Sequence, residues 1–317
     1  MIKKTISIVG GCLNESGNIE ELYVRIIKVM ASMPQYDFDI LIADNCSTDG
    51  TRDILRRIAT KDSRFKVFFN SNNFGPVRSG YNAFLHGSGD AVVFINTDLQ
   101  DPPEFIPQLI EKWEAGFHVV TAVKVGSEES PVFFLIRKLY YWLLSYFSDS
   151  ESIIKNFTGT GLYDRKFMNA LRKYQDPIPY FRGFVTEIGF RRTEISFVQP
   201  KRKSGRSKHA FLTLYDVAMT GFVNHSKLPL RLAIFLGFLL AGISFTVALV
   251  YFIYKLLYWD TFTLGLAPLV IGVFFFSAVQ LIFIGIIGEY VGAILTQVKN
   301  RPLAIVEESL NCPNPDE

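Results

Sequence analysis

The chain has 317 residues, of which 49% are hydrophobic, and 33 lysines and arginines against 30 aspartates and glutamates leave a net charge of only +3. Length alone suggests about two domains. A charge so near balance excludes a protein that holds nucleic acid by bulk electrostatics, and so high an apolar content excludes a disordered chain.

The first ~125 residues alternate short β-branched runs with amphipathic helical stretches. Strands are predicted at "TISIV" (5–9), "FDILIAD" (38–44), "FKVFF" (65–69), "AVVFI" (91–95) and "HVVTAVKV" (118–125), with helices over Asn18–Met33, Thr48–Ala59 and Val77–Leu85. Continuous apolar strands alternating with helices indicate an α/β fold, a largely parallel sheet covered on both faces. "MIKKTISIVGGCL" has lysines before an apolar run, as a signal peptide does. The run is short, lacks a small-residue cleavage site and ends in Asn14-Glu15, so it reads as the first strand. Cys12, Cys46 and Cys312 form no motif; Cys12 and Cys46 fall at strand ends and are expected to stay reduced in a cytoplasmic domain.

Residues 131–147, "PVFFLIRKLYYWLLSYF", are apolar nearly all round and read as an interfacial helix lying on a membrane, or else as a buried or oligomer-contact helix. Residues 209–229 read as an amphipathic juxtamembrane segment. Leu232–Tyr254 and Leu264–Gly288 carry no charge. The first reaches roughly 34 Å as a helix, enough for a ~30 Å hydrocarbon core. Residues 230–295 are therefore expected to form two spans, with 296–317 as a cytoplasmic tail. Basic residues from Lys201 to Arg231 before the first span, and Lys299 and Arg301 after the second, put both termini in the cytoplasm. The expectation is an integral protein of the inner, cytoplasmic membrane, in contact with its lipid, and the sticky surfaces suit a homo-oligomer.

Ligands bind parallel sheets at the carboxyl ends of the strands. Here those ends carry Asn14-Glu15, Asp44-Asn45 and Asn96-Thr97-Asp98. "DNCSTDGT" (44–51) is a turn feeding a helix, with Ser47 or Thr48 as a candidate cap; Asp44 and Asp49 are turn and cap residues on the plainest reading. A glycine-rich stretch, 72–90, places Arg78 near the same mouth, as a phosphate contact or as a solvated helix charge. "DLQDPPE" packs Asp98, Asp101 and Glu104 into seven positions behind a buried strand. Carboxylates there call for a cation. Mg²⁺ takes one or two carboxylates plus substrate phosphates, so Asp98 with Gln100 points to Mg²⁺ or Mn²⁺ brought with a nucleotide diphosphate.

Four segments carry a resemblance: "SIVGGCLNESGNI" at the first strand, "ADNCSTDGTRDIL" at the second, "DLQDPPE" at the fourth, and "RKSGRSK" (202–208) ahead of two apolar runs. The chain resembles family 2 glycosyltransferases of GT-A fold, in particular polyprenyl-phosphate glycosyltransferases of the dolichyl-phosphate mannose synthase and bactoprenol glucosyltransferase type. The resemblance implies a GT-A domain over residues 1–208 and transfer of a sugar, glucose in the nearest subgroup, from a UDP-sugar to polyprenyl phosphate. It implies that Asp44, Glu15 and the backbone around Gly11 and Cys12 contact the nucleotide, that Asp98 is the second acid of a DxD metal motif assisted by Gln100, and that Arg202, Arg206 and Lys208 grip the lipid phosphate. Asn45, Arg78, Asn96 and Thr97 complete the expected donor site. Three positions depart from the pattern: Asn96 replaces the first DxD acid, Leu13 replaces an aromatic, and "NFTGTGLYDRK" offers Asn156, Thr158, Thr160 and the more distant Asp164 where an acid is usual.

No catalytic base is evident, and the chemistry tolerates that. A phosphate monoester has a second pKa near ~6, so it is already a nucleophile at neutral pH and needs positioning instead. "KRKSGRSK" (201–208) supplies five basic residues in eight positions, for the acceptor phosphate or for anionic headgroups, with Arg206 expected to act in catalysis. Two alternatives stand beside this reading: a non-catalytic membrane scaffold partnering a lipid-sugar flippase, because of Asn96, and a processive polysaccharide synthase, whose Gln-x-x-Arg-Trp motif is absent.

Overall fold

The computed structural model describes residues 3–124, 154, 157–174, 176–177, 179, 181–198, 228–258, 266–313 and 315. The interfacial helix expected at 131–147, the basic loop 201–208 and the juxtamembrane segment 209–227 lie outside the described residues.

In chain order the elements are β1 (Thr5–Cys12), α1 (Ile19–Ala31), β2 (Asp37–Asp44), α2 (Thr51–Lys61), β3 (Phe65–Asn70), α3 (Pro76–Leu85), β4 (Ala91–Phe94), a 3₁₀ turn (Pro103–Phe105), α4 (Ile106–Glu114), β5 (Val119–Lys124), β6 (Phe157–Asp164), α5 (Arg165–Leu171), α6 (Phe181–Glu187), β7 (Arg192–Phe197), α7 (Leu228–Leu257), α8 (Leu266–Lys299) and β8 (Val306–Leu310). The strands form one eight-stranded sheet in the order β7-β5-β6-β4-β1-β2-β3-β8. β1 pairs in parallel with β2 and β4, β2 with β3, and β5 with β7, whereas β6 and β8 run antiparallel to their neighbours.

Side-chain alternation explains why both faces are covered. Ile6, Ile8, Ile40 and Ile42 point to one face, where Leu22 and Ile26 of α1, Leu55 of α2 and Leu109 of α4 cover them. Val9, Leu41 and Phe68 point to the other, against Phe84 of α3, Phe167 of α5 and Phe184 of α6. A Cβ on Gly11 would lie 3.1 Å from the Gly80 Cα, so α3 rests on β1 at near backbone contact.

β8 belongs to the sheet, although the sequence reading ended the α/β domain at residue 208 and left 296–317 as a tail. Val306 pairs with Asn70 and Leu310 with Val67. The strand reads "VEESL", so two glutamates hide an edge strand in which only Val306 is buried. Arg56 Nη2 meets Glu308 at 2.6 Å, and Asn311 Nδ2 donates to the carbonyls of Ala59 and Phe65, both at 2.8 Å.

α7 and α8 contain stretches, Ala233–Tyr254 and Phe275–Lys299, long and apolar enough to cross a membrane, with none of either stretch buried. Phe238 and Phe245 are 77% and 70% exposed, far more apolar surface than water tolerates in a soluble helix. At 34 residues α8 is roughly 51 Å long, so it outruns a ~30 Å hydrocarbon core, and it ends at Lys299, beyond the predicted boundary at 295. Near its end, Gln297 Nε2 donates to Asp176 Oδ1 at 2.9 Å, tying the helix to the sheet domain.

Candidate active site

Three loops leave the carboxyl ends of β1, β2 and β4, and each holds one non-glycine residue in the left-handed region: Asn14 (φ 57°), Cys46 (φ 64°) and Leu99 (φ 62°). Such backbone is uncommon outside glycine and persists where the surroundings fix it. The first two loops are laced together. Asn14 N donates to Ser47 Oγ (2.8 Å), Thr48 N to Asn14 Oδ1 (2.8 Å), Glu15 N to Thr51 Oγ1 (2.9 Å) and Ser16 N to Asp49 Oδ2 (3.2 Å). Ser47 therefore binds across to the β1 loop rather than capping α2. The N-cap of α2 is Gly50, and Asp49 Oδ1 accepts from Thr51 N at 3.1 Å. Hydrogen bonds from Thr51 and Ser16 hold the Asp49 carboxyl below its usual value against the opposing effect of burial.

Asp44 has no exposed surface. Its Oδ2 accepts from Arg52 Nε at 2.7 Å, and both oxygens lie near Ser47 N. Arg52 spends its other nitrogens on the Asn70 carbonyl (2.6 Å) and on Glu307 of β8 (3.4 Å), and its guanidinium lies over the Phe69 ring. The β1–β2 register sets Cys12 beside Asp44, with Sγ 3.8 Å from Oδ1. Burial, and then the charges of Asp44 and Glu15, push the Cys12 thiol up, so it stays protonated. All three cysteines are free.

After β4 the burial alternates. Asn96, Asp98 and Gln100 are partly exposed, whereas Thr97, Leu99 and Asp101 are buried. The two sets thus divide between the mouth and the interior. Asp98 Oδ1 accepts from Gln100 N at 3.1 Å, which sets the turn around left-handed Leu99. On the inner side, Thr97 Oγ1 donates to the Gly11 carbonyl at 2.9 Å, bolting the β4 loop to β1. Asp101 Oδ2 accepts from Asn96 Nδ2 and from Thr160 Oγ1 of β6, both at 2.5 Å. Burial raises the Asp101 carboxyl above its usual value, and the Thr160 and Asn96 hydrogen bonds pull it back.

The other predicted residues fall as follows. Asn45 is buried and organises the 70–75 loop, donating to Asn73 Oδ1 (2.7 Å) and accepting from Phe74 N (2.9 Å). Arg78 Nη2 donates to the Pro302 carbonyl at 2.6 Å, with the guanidinium over the Phe74 ring, so this cation is engaged by the chain that follows α8. Glu15 accepts from Asn18 Nδ2 at 2.5 Å at the start of α1. Asp164 is structural: it accepts from Lys166 N to cap α5 and from Trp113 Nε1. Sequence reasoning missed Arg52; its only signal is a basic residue in the first turn of the helix that follows a strand-end acid.

No group of three or more His, Cys, Asp or Glu that could hold a metal occurs among the described residues. The partly exposed side of the β4 loop instead offers one carboxylate, Asp98, with the amide side chains of Asn96 and Gln100. An all-oxygen set with one carboxylate fits Mg²⁺ or Mn²⁺ held mainly through a substrate's phosphates, and does not fit a metal bound by protein alone.

A sheet with a parallel core and its acids and amides gathered at the carboxyl edge belongs to the nucleotide-binding α/β class. Residues 7–176, more than half of the chain, match the family described as Glycosyl transferase family 2. The chain belongs to that family and is a glycosyltransferase. It is 33% identical over 311 residues to the uncharacterized glycosyltransferase YkcC of Bacillus subtilis (strain 168), covering 97% of this chain and 95% of that one. It is 31% identical over 306 residues to the SfII prophage-derived bactoprenol glucosyl transferase of Shigella flexneri, covering 96% and 98%. Among solved structures, glucosyl-3-phosphoglycerate synthase from Mycobacterium tuberculosis, in complex with Mn²⁺, UDP-glucose and phosphoglyceric acid, aligns with a TM-score of 0.49 at 21% identity, over 68% of this chain and 78% of that one.

Proposed function

We propose that the protein transfers a sugar, glucose by likeness to the relatives named bactoprenol glucosyl transferase, from a UDP-sugar to polyprenyl phosphate at the cytoplasmic face of the inner membrane. The observation that carries this reading is the union of two features in one chain. An acid-and-amide mouth sits at the carboxyl edge of the sheet, and an apolar two-helix hairpin is flanked by strands of that same sheet. Because β8 follows the hairpin and β1–β7 precede it in one sheet, the fold supports an even number of crossings with both termini on the same side, and the basic residues flanking the hairpin favour the cytoplasm as that side. The division of labour then follows the chain: residues 1–208 with β8 bind the donor, 209–229 lie at the membrane surface and 230–295 hold the protein in it, with homo-oligomers formed through the apolar surfaces.

The donor's diphosphate is seated between the β1, β2 and β4 loops, with Asp98 and Gln100 facing it. A bound Mg²⁺ or Mn²⁺ supplies charge stabilisation for the departing nucleoside diphosphate. Glu15, Asp44, Asn45, Thr97 and the Gly11–Cys12 backbone shape the nucleotide pocket, with Asp44, Asn45 and Thr97 acting through the framework because they are buried. Arg202, Arg206 and Lys208 orient the acceptor phosphate, and Arg78 stands at the pocket's rim. The acceptor is a dianion that attacks the anomeric carbon directly, so no base is required. A single displacement of this kind inverts the anomeric configuration.

The test presents the full-length protein in detergent with a panel of UDP- and GDP-sugars, a short polyprenyl phosphate and Mg²⁺, and weighs the lipid product. A mass gain of one hexose from UDP-glucose is expected. Asp98→Ala should abolish transfer, and Arg206→Ala should impair acceptor use more than nucleotide binding. Normal turnover by Asp98→Ala would overturn the metal assignment, and no lipid product with any donor would overturn the reaction.

A further inference from the structure

Asn96 stands on the mouth side of the β4 loop with Asp98 and Gln100, yet its side chain is not left to rotate. Its Nδ2 donates inward to Asp101 Oδ2 at 2.5 Å and lies 3.4 Å from Thr160 Oγ1. Asp101 is 1% exposed, and the same Oδ2 also accepts from Thr160 Oγ1 at 2.5 Å and from Asn96 N at 3.4 Å. Three donors converge on this one oxygen, so Oδ2 is the acceptor in this contact. The other orientation of the Asn96 amide would set its carbonyl oxygen against that acceptor. The amide is planar, so fixing Nδ2 inward turns Oδ1 away from the interior, toward the side that Asp98 and Gln100 share.

We propose that Asp101, braced by Thr160, is a positioning residue that locks the Asn96 amide so that Oδ1 serves as a neutral oxygen ligand for the divalent cation and diphosphate of the donor. The inference rests on the donor site proposed above. An aspartate at 96 would meet Asp101 carboxylate to carboxylate, in place of a donor–acceptor pair. Asn96 thus supplies oxygen without charge, and Asp101 supplies order without touching the ligand.

The experiment measures UDP binding by the full-length protein in detergent at a series of Mn²⁺ concentrations, with bound Mn²⁺ followed by its spin-resonance signal and folding by thermal melting. Loss of a partner that orients a metal ligand typically costs about 10–100-fold in metal affinity. Asn96→Ala and Asp101→Ala should each raise the half-saturating Mn²⁺ by about tenfold. The double variant should be no worse than either, because Asp101 acts through Asn96. Asp101→Asn, whose carbonyl oxygen can still accept from Nδ2, should restore most of the affinity. A well-folded Asp101→Ala with unaltered Mn²⁺ dependence, or a double variant in which the two effects multiply, would overturn the inference alone. Should Asp101→Ala fail to melt cooperatively, Thr160→Val decides: a rise in half-saturating Mn²⁺ supports the brace and no rise overturns it. Absence of Mn²⁺-dependent UDP binding in the unaltered protein overturns the donor-site reading, and this inference with it.

Discussion

Arg52→Met removes the counter-charge of a carboxylate that has no route to water. Asp44 is fully buried, and Arg52 Nε, 2.7 Å away, is its cationic partner among the described residues. Breaking one side of a buried pair costs about 3–5 kcal/mol, because the remaining charge is stranded. Arg52 is 20% exposed, and Asp44 keeps the Ser47 N–H, so the lower end, about 3 kcal/mol, is expected. Methionine keeps the apolar stem but also gives up the Asn70 carbonyl, Glu307 and the guanidinium contact with Phe69, so the charge effect is read from the double variant rather than from the single one. For a domain of this size each kcal/mol moves the melting midpoint by about 2–4 °C, which gives a fall of about 6–12 °C. Asp44→Asn in the Arg52→Met background removes the stranded charge and should recover most of that fall. Melting of the four proteins of this cycle in detergent is the assay. A fall under about 2 °C for Arg52→Met, or a double variant no better than the single, would refute the claim that Arg52 neutralises Asp44.

Other substitutions probe the frame around the site. Gly11→Ala places a Cβ 3.1 Å from the Gly80 Cα and should cost about 1–3 kcal/mol by pushing α3 off β1, read as a lower melting midpoint with faster amide exchange in α3. Asn311→Ala removes two 2.8 Å hydrogen bonds and leaves alanine at φ 58°, so amide exchange in β8 should quicken at least tenfold while α1 is unaffected. The Asp62 carboxyl is held below its ordinary value chiefly by hydrogen bonds from the Arg64 side chain, aided by Tyr23. Its folded value is depressed, so the stability it adds is complete above about pH 4 and fades as pH falls through the folded value. Asp62→Asn should therefore lower the melting midpoint at pH 7 but narrow its gap to the unaltered protein near pH 3.

Most of the sheet is legible in the sequence because its central strands are buried on both faces. The runs around Ile8, Ile40, Phe68 and Val93 are mostly apolar, interrupted by single polar residues such as Ser7, Asp39 and Lys66, and all five predicted strands occur within about three residues at their ends. β8 is hidden for the opposite reason: an edge strand with Glu307 and Glu308 buries only Val306 and looks like solvent-exposed tail. The site divides in the same way. The acids at strand ends announce the mouth, and the class follows from them. Which side chains face it does not follow, because burial alternates along 96–101 and turns the expected donor contact Thr97 inward while Asp98 and Gln100 stay partly exposed. Likewise the partners that hold Asp44 and Asn96 come from α2 and β6, so Arg52 and Thr160 gain their roles only once the chain has folded back.

β8 also dictates an order of assembly. The row of peptide groups along the outer side of β3 is completed by residues made only after the two long apolar helices, so that Arg56 waits for a carboxylate 252 positions away. Until then the nascent domain displays a raw margin of the kind that recruits stray strands and seeds aggregation. The margin closes only after both apolar helices have been made and the chain has returned, so on the proposed topology strand closure reports that both have crossed. A product truncated before Val306, or, on that topology, one threaded with a helix on the wrong side, would keep that margin open and offer it to the cell's proteases and chaperones.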